Sequence, residues 1–151
     1  MPSVTGFFHS GITVSDMERA LLFYRDGLGL EVEWDRRIDA PYVKTAVGLQ
    51  FDHVRVVYLR LPAGGFVELL QFSGIEQMSA AARPCDFGSG HLCLYVDDVE
   101  AMHARLAGLG FRARSAAVVD ITAGPNQGAR SVYELDPDGY PVELFQRAAG
   151  K

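Results

Sequence analysis

The alternation of hydrophobic and polar residues predicts four strands and one helix in the first half of the chain. The strands fit best near Phe8–Val14, Glu31–Asp35, Val54–Leu61 and Phe66–Phe72. Ser15 and Glu18 form the S-x-x-E pattern of a capping box, so a helix is expected to begin there. Gly27 or Gly29 is expected to end that helix, and residues 62–65 are expected to form a hairpin turn.

The second half shows the same order of elements. The pattern predicts a strand at His91–Val96, a helix from about Val99 to Leu109, and strands near Phe111–Ser115, Ser131–Leu135 and Tyr140–Gln146. Asp136-Pro-Asp-Gly139 is typical of a turn between the last two strands. Residues 36–50 and 120–129 are expected to be long loops, the second of them either a lid or a plain connection.

The repeated order reflects an internal duplication. His9 and His91 each lie at or next to the start of a predicted strand, which is followed by Asp, Glu, a helical stretch and Gly-Leu-Gly at almost the same spacing in both halves. The segment Val67-Glu-Leu-Leu-Gln71 in the first half is similar to Val142-Glu-Leu-Phe-Gln146 in the second. Two matched segments in the same order indicate a repeat architecture. We therefore predict an α+β chain that forms a single domain over residues 1–151. It consists of two strand–helix–strand–strand–strand modules, at about 6–73 and 89–147, joined by a linker over 74–88.

Ionisable side chains recur at positions that point away from the apolar faces of these strands. Side chains alternate between the two faces of a strand, so Leu92, Leu94 and Val96 share one face and His91 lies on the other. In the first strand, Phe8, Ile12 and Val14 are expected on the helix side. The same reasoning places four residues on the face opposite to the helices: His9, Glu68, His91 and Glu143.

These four side chains are candidate ligands of one divalent ion. A carboxylate within an apolar strand costs several kcal/mol if it is buried alone as an ion, and a cation offsets that cost. Two imidazoles and two carboxylates suit zinc, nickel, cobalt, manganese or iron(II). The alternative for each residue alone is structural, because a strand Glu is usually exposed and a lone His usually finds a hydrogen bond. The other two histidines lack support from the repeat: His103 is expected to be exposed on a helix, and His53 begins a strand.

Composition excludes several other classes of function. The hydrophobic content of 48% and charged content of 22% are ordinary for a globular protein. The net charge of −5 argues against nucleic-acid binding. No signal peptide and no membrane-spanning run is recognisable, and Cys85 and Cys93 match no zinc-ribbon spacing, so reduced thiols and a cytoplasmic location are expected.

The sequence resembles the vicinal-oxygen-chelate superfamily, which includes glyoxalase I, methylmalonyl-CoA epimerase, extradiol dioxygenases and the fosfomycin and bleomycin resistance proteins. The segments that carry the resemblance are His9 with Val14-Ser-Asp16, Phe23 to Leu30, Val67 to Leu70, Gly90-His91 with Val96-Asp-Asp98, and Asp136 to Gly139 with Val142-Glu-Leu144. It implies paired βαβββ modules in a cupped mixed sheet with helices on its outer face, one metal ion, a small-molecule substrate and a homodimer.

The ligand set His, Glu, His, Glu is most similar to that of bacterial glyoxalase I, and next to that of the epimerase. The resemblance therefore implies an isomerase or lyase that chelates two substrate oxygens and moves a proton at the carbon beside a carbonyl. Glu143 or Glu68 would be the base, with Glu143 the first choice by analogy. Thr13 and Phe72 stand where bacterial glyoxalase I has an arginine and an asparagine that contact glutathione, which argues against a glutathione substrate. Phe72, Tyr95 and Phe145 are expected on the concave face, as pocket lining or as core.

Two further functions remain open from the sequence. An extradiol-type dioxygenase would use two His and one Glu with iron(II), which leaves Glu68 surplus. A resistance-type binding protein would hold a small molecule without turning it over and often lacks the full metal set.

Overall fold

The computed structural model describes residues 1–80 and 82–150, and the chain divides into two compact units, Met1–Met78 and Ser79–Lys151. The first unit contains β1 (His9–Thr13), α1 (Met17–Leu21), a π-helical segment (Leu22–Gly27), β2 (Glu31–Ile38), α2 (Pro41–Val47), β3 (His53–Arg60) and β4 (Phe66–Ser73). Its sheet has the order β1-β4-β3-β2; β1 runs parallel to β4, and the other neighbours are antiparallel.

The second unit repeats this topology. It contains β5 (Leu92–Tyr95), α3 (Val99–Gly108), β6 (Arg112–Ala113), β7 (Val119–Asp120), β8 (Arg130–Leu135) and β9 (Pro141–Gln146). The order is β5-β9-β8-β6, with β5 parallel to β9 and the short strand β7 also paired with β8. The predicted α+β class with mixed sheets is confirmed.

The segment between β2 and β3 differs from the prediction of a long loop over residues 36–50. Strand β2 continues to Ile38, and α2 follows it. Pro41 occupies the start of this helix, and Gly48 ends it in the left-handed conformation with φ +71. Proline at the first turn and glycine just past the end are the usual signals of a short helix, so Pro41 and Gly48 were sufficient to predict α2. Strand β7 was also not predicted, because two residues are too few to show a periodicity.

The first helix begins one residue later than the capping-box pattern predicted. Asp16 rather than Ser15 caps α1, and its carboxylate accepts hydrogen bonds from the backbone N–H groups of Glu18 and Arg19. Asp98 caps α3 in the same way. The π-helical segment that continues α1 ends at Gly27, and Gly29 just beyond it has a φ of +76 that lets the amide of Leu30 bond back to the carbonyl of Tyr24.

The strand faces follow the predicted alternation, with one exception. Most apolar positions that share a face with the helices are buried, namely Ile12, Val14, Val67, Leu69, Val142 and Leu144, whereas Leu92, Leu94 and Val96 are only partly buried. Phe8 was expected on this face, but it precedes β1 and is exposed. Its ring lies near those of His9 and Tyr58 instead, because the chain enters the sheet only at His9.

Polar contacts between strand and helix also repeat in the two units. Arg55 on β3 pairs with Glu18 on α1, and Arg130 on β8 pairs with Glu100 on α3. These contacts join equivalent positions, since each of them connects the strand before the last to the helix of its own unit. Among the described residues, no helix is long and apolar enough to cross a membrane.

His103 was expected to be exposed, and the structure contradicts this. Its side chain on α3 is only 22% exposed, and its Nδ1 lies 2.6 Å from Oε1 of Glu134 on β8. Glu134 is 1% exposed, and its Oε2 has no hydrogen-bond partner among the described residues. No pattern in the chain indicates this pair, because the partner is on a strand that reaches α3 only through tertiary packing.

Candidate metal centre

The first unit brings His9 and Glu68 together on the sheet face that is turned away from α1. Nε2 of His9 lies 3.1 Å from Oε2 of Glu68. The two residues come from the parallel neighbours β1 and β4, where Gly11 is the register partner of Glu68. Tyr58, the register partner of Glu68 on the other side, places its hydroxyl 3.2 Å from Nδ1 of His9 and hydrogen-bonds to Glu68.

The second unit brings His91 and Glu143 together in the same way. Nε2 of His91 lies 3.2 Å from Oε2 of Glu143. Tyr133 is the register partner of Glu143, and its hydroxyl lies 3.3 Å from Nε2 of His91. Two more side chains contact this carboxylate: the hydroxyl of Ser131 donates to Oε1 at 2.7 Å, and the thiol of Cys93 also hydrogen-bonds to it.

Each unit thus carries a His–Glu–Tyr cluster at equivalent positions. Within residues 1–80 and 82–150, no group of three or more His, Cys, Asp or Glu side chains is gathered closely enough to hold a metal ion. The assignment of His9, Glu68, His91 and Glu143 as ligands of one ion stays a prediction. His53 and His103 belong to neither cluster.

The donor chemistry of each pair fits a divalent cation. Two ligand atoms in adjacent positions around an ion, with bonds of about 2.0–2.2 Å, lie about 3 Å apart. The 3.1 Å and 3.2 Å separations between nitrogen and carboxylate oxygen are close to that value. When Nδ1 of His9 carries the ring hydrogen, it donates to the oxygen of Tyr58 and leaves the lone pair of Nε2 for the ion.

The two tyrosines of the His–Glu–Tyr clusters are residues that the sequence reasoning missed. Tyr58 and Tyr133 lie on β3 and β8, the neighbours of the strands that carry the two glutamates. Each tyrosine precedes its glutamate by the same number of positions, so the offset from Tyr58 to Tyr133 equals the offset from Glu68 to Glu143. A comparison of the two halves at this offset would have found them.

The electrostatic environment keeps the phenols and the thiol protonated. Desolvation, followed by the hydrogen bond and charge of the neighbouring glutamate, raises the pKa of Tyr58 and that of Tyr133 to about 12. Desolvation and then the charge of Glu143 raise the pKa of Cys93 to about 12. Desolvation alone would raise the pKa of Glu143, but hydrogen bonds from Ser131, Cys93 and Tyr133 outweigh it and the pKa lies below the ordinary value.

Aromatic rings pack against Tyr58 beside the first pair. The ring of Tyr58 is stacked on that of Trp34 with centroids 4.5 Å apart, and it meets Phe66 edge to face. Phe72 is partly buried and packs against Phe51 in the apolar cluster of this unit, which also includes Tyr58.

On the second unit, Tyr95 is exposed and Phe145 is partly exposed, with ring centroids 5.9 Å apart. The guanidinium of Arg147 lies 3.9 Å from the centre of the Tyr95 ring. These two aromatic rings therefore remain candidates for lining a pocket.

A family model described as the glyoxalase/bleomycin resistance protein/dioxygenase superfamily matches residues 6–144. The chain belongs to this superfamily. An epimerase from Actinomyces sp., named 2-epi-5-epi-valiolone epimerase, is 30% identical over 99% of this chain and 84% of its own length. A lactoylglutathione lyase from Haemophilus influenzae is 25% identical over 95% of this chain and 93% of its own.

Solved structures agree on the fold of this superfamily member. A glyoxalase family protein from Bacillus cereus has a TM-score of 0.83 at 18% identity, covering 98% of this chain and 97% of its own. At that identity the likeness concerns the fold alone. The Actinomyces epimerase and the Haemophilus lyase are enzymes, which supports the prediction that this chain is an enzyme.

Proposed function

We propose that this superfamily member is a divalent-metal-dependent isomerase or lyase that moves a proton at a carbon beside a carbonyl group. The observation that carries the proposal is the duplicated His–Glu–Tyr cluster, with its nitrogen-to-oxygen separations of 3.1 Å and 3.2 Å. We propose that each ion has four protein donors in a homodimeric enzyme. One His9–Glu68 pair and one His91–Glu143 pair supply them.

The comparisons favour a substrate of the epimerase type over a glutathione adduct. The relative at 30% identity is named for 2-epi-5-epi-valiolone, and the lactoylglutathione lyase is less similar, at 25%. Thr13 and Phe72 occupy the two positions where the resemblance to bacterial glyoxalase I requires polar contacts with glutathione. Phe72 is already packed against Phe51 and offers no polar group. A small hydroxylated ketone is therefore the proposed substrate class.

The chemistry of the residues fits this reaction. A carboxylate beside the substrate, Glu68 or Glu143, accepts the proton from the carbon next to the carbonyl and can return it to either face or to the neighbouring carbon. A divalent ion, when bound, supplies Lewis-acid stabilisation of the negative charge that develops on the substrate oxygens. Tyr58 and Tyr133 remain protonated, so each can donate a hydrogen bond to its carboxylate throughout the neutral pH range.

Metal analysis and isotope exchange test the proposal together. We expect the chain, purified without added ions, to carry one divalent ion per chain. We also expect it to incorporate solvent deuterium beside the carbonyl of 2-epi-5-epi-valiolone. His9→Ala and His91→Ala should each weaken metal binding by at least about 100-fold, because even outer-sphere partners of a metal are worth about 10–100-fold. Glu31→Gln, at an exposed position on β2, is the control and should change neither property.

The result also separates the competing functions. Iron together with oxygen uptake on a catechol would replace the proposal with a dioxygenase. Absence of any bound divalent ion would replace it with a small-molecule-binding protein. Metal binding with exchange on methylglyoxal and glutathione, but not on the ketone, would keep the reaction class and overturn the proposed substrate class.

A further inference from the structure

The two His–Glu–Tyr clusters differ in what holds the carboxylate. Both glutamate side chains are 15% exposed, so burial does not distinguish them. Each also accepts a hydrogen bond from its tyrosine, so the phenols do not distinguish them either. The difference lies at the two remaining neighbouring positions.

Glu143 is held by two donors that have no counterpart in the first unit. Ser131 donates to its Oε1 at 2.7 Å, and Cys93, its register partner on β5, donates from the other side. The equivalent positions around Glu68 are Val56 and Gly11, which have no side-chain donor. Gly11 is the register partner of Glu68 just as Cys93 is that of Glu143.

The same substitutions leave space beside Glu68. A Cβ atom at Gly11 would lie 3.2 Å from Oε2 of Glu68, so the absence of a side chain there keeps the volume next to this carboxylate open. For Glu143, the corresponding volume is occupied by Cys93. Hydrogen bonds to a charged group are stronger than those between neutral groups, so moving Glu143 away from Ser131 and Cys93 costs more free energy than moving Glu68.

We propose that Ser131 and Cys93 are positioning residues that fix Glu143 as the permanent ligand, and that Glu68 is the carboxylate that moves and carries the proton. The inference rests on the proposed function and reverses the choice of Glu143 that the resemblance to glyoxalase I favoured. In the step itself, the substrate C–H bond breaks, its electron pair forms a C=C bond to the carbonyl carbon, and the C=O π pair moves onto the carbonyl oxygen to give an enediolate. The proton goes to an oxygen of Glu68, which then returns it to carbon.

The primary test uses zinc and cobalt alone and needs no substrate. Glu143→Gln places an amide N–H₂ or a weaker acceptor against the donors Ser131 and Tyr133, so we expect zinc affinity to fall by at least about 100-fold. Glu68→Gln should reduce zinc affinity by less than about 10-fold. The double variant Ser131→Val/Cys93→Gly, which copies the first unit, should lower zinc affinity by about 10-fold or more and change the visible spectrum of the cobalt form.

The control makes the same kind of change outside both clusters. Cys85→Gly, at an exposed position, should leave zinc affinity within about 2-fold of the original value. If Glu68→Gln weakens zinc binding as much as Glu143→Gln does, or if Ser131→Val/Cys93→Gly binds zinc unchanged, the inference is wrong while the metal site itself stands. If the unmodified chain binds neither ion, the proposed function fails as well.

Isotope exchange gives an independent readout. With 2-epi-5-epi-valiolone in deuterated water, zinc-loaded Glu68→Gln should lose at least about 100-fold of its exchange rate with little change in KM. Ser131→Val/Cys93→Gly, assayed at saturating zinc, should retain most of the exchange. The opposite pattern, with exchange retained in Glu68→Gln, would return the role of base to Glu143.

Discussion

Replacing His103 with leucine is expected to lower the free energy of unfolding by about 3–5 kcal/mol, whereas His103→Leu/Glu134→Leu should be as stable as the original chain or more stable. The single change leaves Glu134, which is 1% exposed, without the imidazole 2.6 Å away. A buried charge that loses its partner is strongly destabilising, but an ion pair replaced by apolar side chains of similar volume is often neutral or stabilising by about 1–4 kcal/mol.

The first unit shows that leucines fit these positions. Leu21 and Leu59 are the equivalents of His103 and Glu134 when the two halves are superposed on their histidines and glutamates, and both are buried. Urea denaturation of the two single variants and the double variant measures the effect as a double-mutant cycle. A double variant as unstable as His103→Leu would show that the pair contributes net stability and would contradict the prediction.

The pH dependence of unfolding provides a second measurement on the same pair. Burial raises the pKa of Glu134, against the opposing hydrogen bond and charge of His103. The folded chain therefore holds this proton more tightly than the unfolded chain. The stability this contributes is full below the ordinary pKa of 4.5 and is lost as pH rises through the folded pKa. We expect the double leucine variant to gain stability relative to the original chain between about pH 4 and about pH 7. A constant difference would contradict the raised pKa.

Tyr58→Phe is expected to weaken zinc binding by about 10-fold to 100-fold, the range typical of a lost partner of a metal-bound histidine. The hydroxyl of Tyr58 is the group 3.2 Å from Nδ1 of His9, and it fixes the ring orientation that turns Nε2 toward Glu68. The ring of Tyr58 remains stacked on Trp34 after this change, so the fold should keep its stability within about 1 kcal/mol.

Two further tyrosine variants serve as comparisons. Tyr133→Phe should have a smaller effect, because Ser131 and Cys93 continue to hold Glu143. Tyr42→Phe, at an exposed position on α2, should have none. Competition with a chelator measures zinc affinity, and thermal unfolding without metal measures stability. Equal affinities for Tyr58→Phe and Tyr42→Phe would rule out a role for the Tyr58 hydroxyl in metal binding.

The class of fold, the internal repeat and the strand face of each candidate ligand were all predictable from the order of residues alone. Strand alternation has a strict period of two, and the duplication presents each pattern twice, so a single irregularity such as Ser10 did not obscure the result. The same duplication also contains the signal for Tyr58 and Tyr133, because these residues share the offset of the two glutamates.

Contacts between side chains, by contrast, became visible only in the folded chain. Asp16, and not the predicted Ser15, caps the first helix. His103 contacts Glu134, which lies on a strand much later in the chain. The two donors that distinguish the surroundings of Glu143 from those of Glu68 were also not predictable from the sequence. Ser131 and Cys93 contact the Glu143 carboxylate from two different neighbouring strands. Periodicity fixes the direction in which a side chain points, but hydrogen bonds and ion pairs depend on which strands are adjacent and in what register, and packing of the whole chain sets both.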